Sequence, residues 1–168
     1  MRTVKMYLFI LLIYPFLFSC KKASQDLPPL THSGKNIVAV KVNGKVYTAN
    51  GKMIPFSPVT EGGVYFGLTA DSSITIGAAQ TSPVWSFYVT FPYSKTSAIF
   101  PIGSTPFWAS WSSGSNNDYQ IYTDATHTGT VTVDYYDGKI LSGTFEYDGL
   151  ISDGSGVDHV EGNFDIGQ

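Results

Sequence analysis

Strict alternation of side-chain character over the last forty or so residues limits this chain more than any other feature. Val131, Val133 and Tyr135 alternate with Thr130, Thr132 and Asp134. After a turn, Leu141, Gly143, Phe145 and Tyr147 alternate with Ile140, Ser142, Thr144 and Glu146. A period of two, carried by β-branched and aromatic residues, is the mark of half-buried antiparallel strands. A two-residue Asp137-Gly138 loop would put Leu141 and Phe145 on the opposite face from the valines. A three-residue loop, Tyr136-Asp137-Gly138, pairs Val133 with Leu141 and Val131 with Gly143, which unites the apolar sets. It also places Gly138 at the left-handed position of a bulged type I turn. A slip of one residue turns every side chain over, so the three-residue loop is expected.

The same pattern recurs upstream. Ile37 to Ala49 carries Asn43-Gly44 between alternating runs, which predicts a type I′ hairpin pairing Val42 with Lys45, Val40 with Tyr47 and Val38 with Ala49. Val64 to Ala70 and Ser73 to Ala79 read as strands across an Asp71-Ser72 turn, after a proline- and glycine-bearing loop over 50–63. Val84 to Phe91 alternates with Trp85, Phe87, Val89 and Phe91 on one face. Ala98 to Gly103 contains Pro101 and reads as an edge or corner strand. Strands are then expected over Thr105 to Trp111 and Asp118 to Thr123. Aromatics make up 15% of the chain and helix-forming runs are few, so an all-β domain follows, an antiparallel sandwich or partly closed barrel of about nine or ten short strands. The span 36–168, 133 residues, suits one domain with one core.

The first 19 residues are read as a secretory signal. Arg2 and Lys5 precede Tyr7 to Phe18, an apolar run of 12 residues. That run is short for a bilayer span, which takes about 20 apolar residues. Leu17-Phe18-Ser19-Cys20 resembles a bacterial lipobox, and Cys20 is the only cysteine of the chain. The resemblance implies diacylglycerylation of Cys20, cleavage before it and acylation of the new amino terminus. Two or more acyl chains give stable anchoring, so the membrane is the expected partner. Residues 20–35, with Pro28-Pro29, read as a semi-extended, flexible tether that includes a solvated His32. Lys21-Lys22 after the cysteine points to the outer membrane in a didermic envelope, and the lack of an acidic run there, with only Asp26 before Glu61, favours its periplasmic face over the cell surface.

Without the signal, eight basic side chains stand against thirteen acidic ones, a net charge of −5. Residues 21–95 carry a net +4 and residues 96–168 a net −9. No stretch is basic enough for nucleic acid.

The succession VKVNGKVYTA, SITIGAA, FPIGS, YQIYTDATHTGTVTVDYYDGKILSGTFEYDG and VEGNFDI resembles a family of Bacteroidota lipoproteins. That family has an early VNG hairpin, a GTY-P-I-like corner and a late ISGTF strand. Ala98 to Ile102 departs from the family's glycine-threonine-tyrosine corner. The likeness implies the fold and the lipid anchor, and carries no activity with it.

Chemistry-bearing residues are sparse. His127, three residues after Asp124, and His159, next to Asp158, are too few for a zinc site in a domain that has no cysteine. No G-x-S-x-G elbow marks a nucleophile. Residues 153–158, DGSGVD, lack the acidic spacing and terminal glutamate of a calcium loop. Three aromatics stand apart, because alternation turns them away from the core: Trp108 opposes Phe107 and Ala109, Tyr88 opposes Phe87, and Tyr122 opposes Ile121. Outward aromatics on a sheet can stack on sugars or partner proteins. The sequence thus predicts a non-catalytic binding or structural module, contacting a glycan or an envelope protein through Trp108, Tyr88 and Tyr122, with no cofactor. The alternatives are a barrel that carries an apolar ligand and a hydrolase built on loops around His127 or His159.

Overall fold

The computed structural model describes residues 26–53 and 62–168; Cys20, the expected signal and most of the 50–63 loop lie outside them. The regular elements of the described residues are all strands, eleven of them. The first five are β1 (Ile37–Val42), β2 (Lys45–Asn50), β3 (Gly63–Leu68), β4 (Ser73–Thr81) and β5 (Val84–Pro92). Then come β6 (Ala98–Ile102), β7 (Ala109–Ser113), β8 (Tyr119–Tyr122), β9 (Gly129–Tyr136), β10 (Ile140–Ile151) and β11 (Val157–Gly167). All strand pairs are antiparallel, in the order β2-β1-β11-β10-β8-β7-β5-β4-β3, with β9 also on β10 and β6 on β9. The count is slightly above the nine or ten expected.

One strand organises the sheet. Along one edge β10 pairs with β11; along the other, Leu141 to Tyr147 pair with β9, and Leu150 and Ile151 with β8. The sheet therefore forks at Gly149, where a Cβ would crowd Ile121 (2.5 Å) and Tyr147 (3.0 Å). The two arms curl to face each other. Phe87 stacks on Phe145 (4.4 Å between ring centres), Phe91 meets Phe100 and Phe164, and Tyr47 packs against Trp85 and Trp111. Backbone bonds of Gly51 and Met53 to Val64 bring β2 and β3 together, so the sheet is a nearly closed barrel around one apolar core. Burying each large core side chain contributes about 1.5–3 kcal/mol.

The Asn43-Gly44 hairpin has the expected register throughout, and both turn residues have positive φ. Trp85, Phe87, Val89 and Phe91 are buried as their alternation requires. The β9–β10 hairpin differs from its expected register. Tyr136 pairs with Leu141, leaving a four-residue loop, and a bulge then brings Val133 to Gly143 and Val131 to Phe145. The apolar face is kept, but by inserting a residue within the strand rather than by shortening the turn. Asp137 holds the loop by accepting from the backbone N–H groups of Lys139 (2.8 Å) and Ile140 (2.7 Å). The strand expected from Thr105 begins only at Ala109, because residues 103–107 form a tight turn (Gly103 N–H to Phe107 C=O, 2.8 Å).

The tether also ends earlier than expected. Residues 28–36 are bound to the body instead of extending free of it. Asn163 Nδ2 donates to the Pro28 carbonyl. The Asp165 carboxylate accepts from Thr31 Oγ1, from the N–H groups of Ser33 (3.1 Å) and Gly34 (2.7 Å), and from Ser142 Oγ (3.3 Å). Asp165 sits on the outer side of β11 and is only 2% exposed, so its charge needs these donors, and a polar, glycine-bearing segment supplies them. His32 remains exposed, with its ring 5.6 Å from that of Tyr135.

Candidate aromatic binding trough

Register brings the three outward aromatics to one place. Ser110 of β7 pairs with Tyr88 of β5 on one side and with Tyr122 of β8 on the other. The two tyrosines thus stand two strand spacings apart, about 9.5 Å, across a small serine. Trp108 comes in beside them because its N–H and C=O exchange bonds with Thr90 (3.2 and 2.8 Å), while Phe107 before it packs against the core. The side chain of Thr123 fixes the next residue, accepting from the Ala109 N–H at 2.9 Å. These residues line an open depression of about 560 Å³, closed at one end by the 104–105 turn and Asp124. All three aromatics are half-buried.

The polar groups of the trough are of two kinds. Those flanking it are satisfied within the sheet: Ser86 and Ser112 hydrogen-bond to each other (2.8 Å), as do Thr75 and Thr90 (3.0 Å), and Ser112 also donates to Asn117. The hydroxyls of Tyr88, Tyr122 and Ser110, the Gln120 amide and the Trp108 indole N–H have no hydrogen-bond partner among the described residues. Solvent-facing stacking surfaces and available donors and acceptors therefore occupy the same trough.

At the rim, Asp124 is committed to its own loop. Its carboxylate accepts from the N–H groups of Thr126 and His127 (both 2.7 Å) and contacts His127 Nδ1 at 2.9 Å. The His127 side-chain bond first, then these backbone bonds, hold the Asp124 carboxyl well below the usual carboxylate range. His159 pairs instead with Asp148 (2.8 Å), on an exposed part of β10 and β11. Neither histidine bonds a serine or threonine hydroxyl among the described residues. Nor do three His, Asp or Glu side chains converge there as a metal would need.

No family model, curated protein or solved structure matches the chain. The trough's chemistry is therefore read from its own geometry.

A further tyrosine, not singled out by the sequence, belongs to the same row. Tyr65 of β3 pairs with Gly77 of β4, and Gly77 pairs with Tyr88. The Tyr65 ring lies over Gly77, in the space a side chain would fill there. Burial raises the Tyr65 phenol above its ordinary pKa, and the neighbouring Tyr88 raises it further. Its signal in the sequence is weak, since an outward tyrosine in a short strand is ordinary until the register aligns it with others.

Proposed function

We propose that this protein is a lipid-anchored envelope module that binds carbohydrate in the Tyr88–Trp108–Tyr122 trough and performs no chemistry on it. The observation that carries this reading is the grouping of three outward aromatics with unpartnered hydroxyl, amide and indole groups in one open depression. Aromatic faces take the apolar C–H faces of a sugar ring at little entropic cost, and the polar groups take its hydroxyls. A trough open to solvent also suits a ligand that continues beyond the site. The barrel interior is occupied by rings such as Phe87 and Phe145, so an internal ligand would have to displace core packing. This favours the outer face over a carrier function.

The signal at residues 1–19, acylation of Cys20, placement in the outer membrane facing the periplasm and kinship with the Bacteroidota lipoproteins complete the proposal. They rest on the sequence alone. Two experiments test it. Replacing Cys20 by Ser should move the protein from the membrane to the soluble fraction, and retention in the membrane would refute the anchor. Titration of neutral oligosaccharides should show binding that Trp108→Ala weakens by about 1–2 kcal/mol, roughly five- to thirtyfold, at unchanged stability. Affinity unaffected by Trp108→Ala would place the site elsewhere.

A further inference from the structure

The trough is the deep part of a longer feature. Five strands, β3, β4, β5, β7 and β8, lie side by side and contain no Asp, Glu, Lys or Arg. On their outer face one cross-strand row reads Tyr65, Gly77, Tyr88, Ser110, Tyr122. Tyr88 and Tyr122 stand two strands apart, about 9.5 Å, while the Tyr65 ring reaches over Gly77 toward Tyr88. The flanking rows are small and hydroxylic: Thr75 and Thr90 on one side, Ser86 and Ser112 on the other, each pair hydrogen-bonded within itself. The charged outer residues of the barrel, including Lys41, Glu146, Asp148 and Glu161, lie on the opposite arm.

We propose that this row binds a neutral, linear β-1,4-linked polysaccharide chain lying across the strands, with Tyr88 and Tyr122 under alternate sugars, Trp108 beside them, and the Tyr65 ring over Gly77 extending the platform beyond Tyr88. The inference rests on the reading of the trough as a carbohydrate site, and adds the ligand's linkage, charge and length. Equatorial β-1,4 links make a flat ribbon in which every second sugar presents the same face. Its repeat is a disaccharide, a length close to the spacing of two strands. An α-1,4 chain coils and cannot keep successive rings on successive tyrosines. Apart from the Asp124 carboxylate at the rim, which its own loop and His127 engage, the strip carries no charge, so it neither attracts an anionic polymer nor imposes unpaired charge on a neutral one. The small Ser110 between Tyr88 and Tyr122 lets the ribbon approach the sheet. The sheet's twist, about 20–25° per strand, suits a single pliable chain better than a flat crystalline surface.

The test is calorimetric titration of the purified mature domain with cellohexaose, mannohexaose and chitohexaose, their disaccharides, and maltohexaose. At least one β-1,4 hexasaccharide should bind tighter than its disaccharide and than maltohexaose. Tyr65→Leu, which still covers Gly77, should weaken the hexasaccharide about tenfold and leave the disaccharide unchanged, whereas Tyr65→Phe should bind as wild type. Trp108→Ala should weaken both lengths. Equal affinity for the two lengths, a Tyr65→Leu variant with unaltered hexasaccharide binding, or equal binding of maltohexaose would overturn the extended row. In those cases a disaccharide still sensitive to Trp108→Ala would leave the trough reading standing. Binding of none of these sugars would remove both.

Discussion

Replacing Asp165 with Ala should release the segment 28–36 from the barrel. That carboxylate is the common acceptor for Thr31, Ser33 and Gly34. Hydrogen bonds to a charged group contribute about 1.5–3 kcal/mol each and are not additive, so a loss of roughly 3 kcal/mol of docking is expected, about a hundredfold in local opening. The segment lies at the edge of the fold and can leave without opening the ladder between β1 and β11. The amides of Ser33 and Gly34 should therefore exchange about a hundredfold faster while those of β1 and β11 stay protected. Retained protection at Ser33 and Gly34 would show that Asp165 does not hold the segment; simultaneous loss in β1 would show that the segment is part of the global fold. Geometry follows from the same contact. From Cys20 to Pro28 there are eight residue steps, at most about 26–29 Å, against about 53–58 Å for the sixteen steps to Asn36. If Cys20 is acylated, docking halves the reach of the domain from the bilayer. Acid should mimic the substitution. Burial pushes the Asp165 carboxyl up, but the bonds from Thr31, Ser33, Gly34 and Ser142 outweigh this and leave it below its ordinary value. The stabilisation is thus complete above the unfolded-state value of about 3.9 and is lost as pH falls through the lower folded value, with no change between about pH 5 and 8.

Gly162 pairs directly with Phe145, whose ring covers it, and a Cβ there would overlap both that ring and the Ala39 carbonyl. Gly162→Ala should cost about 2–4 kcal/mol in urea unfolding; a loss under about 1 kcal/mol would mean that the ring can swing aside. The hydroxyl of Tyr147 is buried with no partner among the described residues. Tyr147→Phe should therefore be neutral or stabilising by up to about 2 kcal/mol in thermal unfolding, and a loss above about 1 kcal/mol would show that the hydroxyl is hydrogen-bonded in the folded state.

The elements legible in the sequence were those whose information is local. Asn43-Gly44 fixed its hairpin because only a two-residue turn with positive φ at both positions suits adjoining right-twisted strands. Alternation likewise sorted Trp85, Phe87, Val89 and Phe91 inward, and Tyr88 and Trp108 outward. The β9–β10 register was misread because a bulge within a strand has no residue signature comparable to Asn-Gly. It compensates a longer loop and leaves the apolar face unchanged, so pattern alone cannot distinguish the two solutions. The docked segment was missed for a related reason. A polar, proline-bearing stretch reads as solvated unless a buried carboxylate waiting for donors is known to lie beside it, and Asp165 is more than 130 residues away.

Charge is sorted across the barrel by a rule that chain order obscures. Counted along the chain, the basic excess lies before residue 96 and the acidic excess after it, which suggests two electrostatic halves in sequence. Strand pairing divides the molecule differently. β1 pairs with β11, and β11 with β10, so Lys41 meets Glu161 at 2.9 Å and the two excesses oppose each other on one arm. The strands between them in sequence, β3 to β8 without β6, form the other arm and hold no charged side chain. Residues 20–168 carry a net charge of −5, and within the described strands the charge lies on the charged arm. The uncharged arm needs a different explanation. A solvent-facing sheet ordinarily carries Lys and Glu, which limit association between sheets. Here the outer positions are instead chiefly Gly, Ser, Thr and Tyr, with Ala79, Val84 and Gln120, a composition that leaves flat aromatic faces and hydroxyls available to a neutral, ring-bearing ligand. Introducing charge between the tyrosines, as in Ser110→Glu, should accordingly leave folding within about 0.5 kcal/mol and abolish sugar binding. Unchanged binding in that variant would mean that the trough floor is not part of the contact.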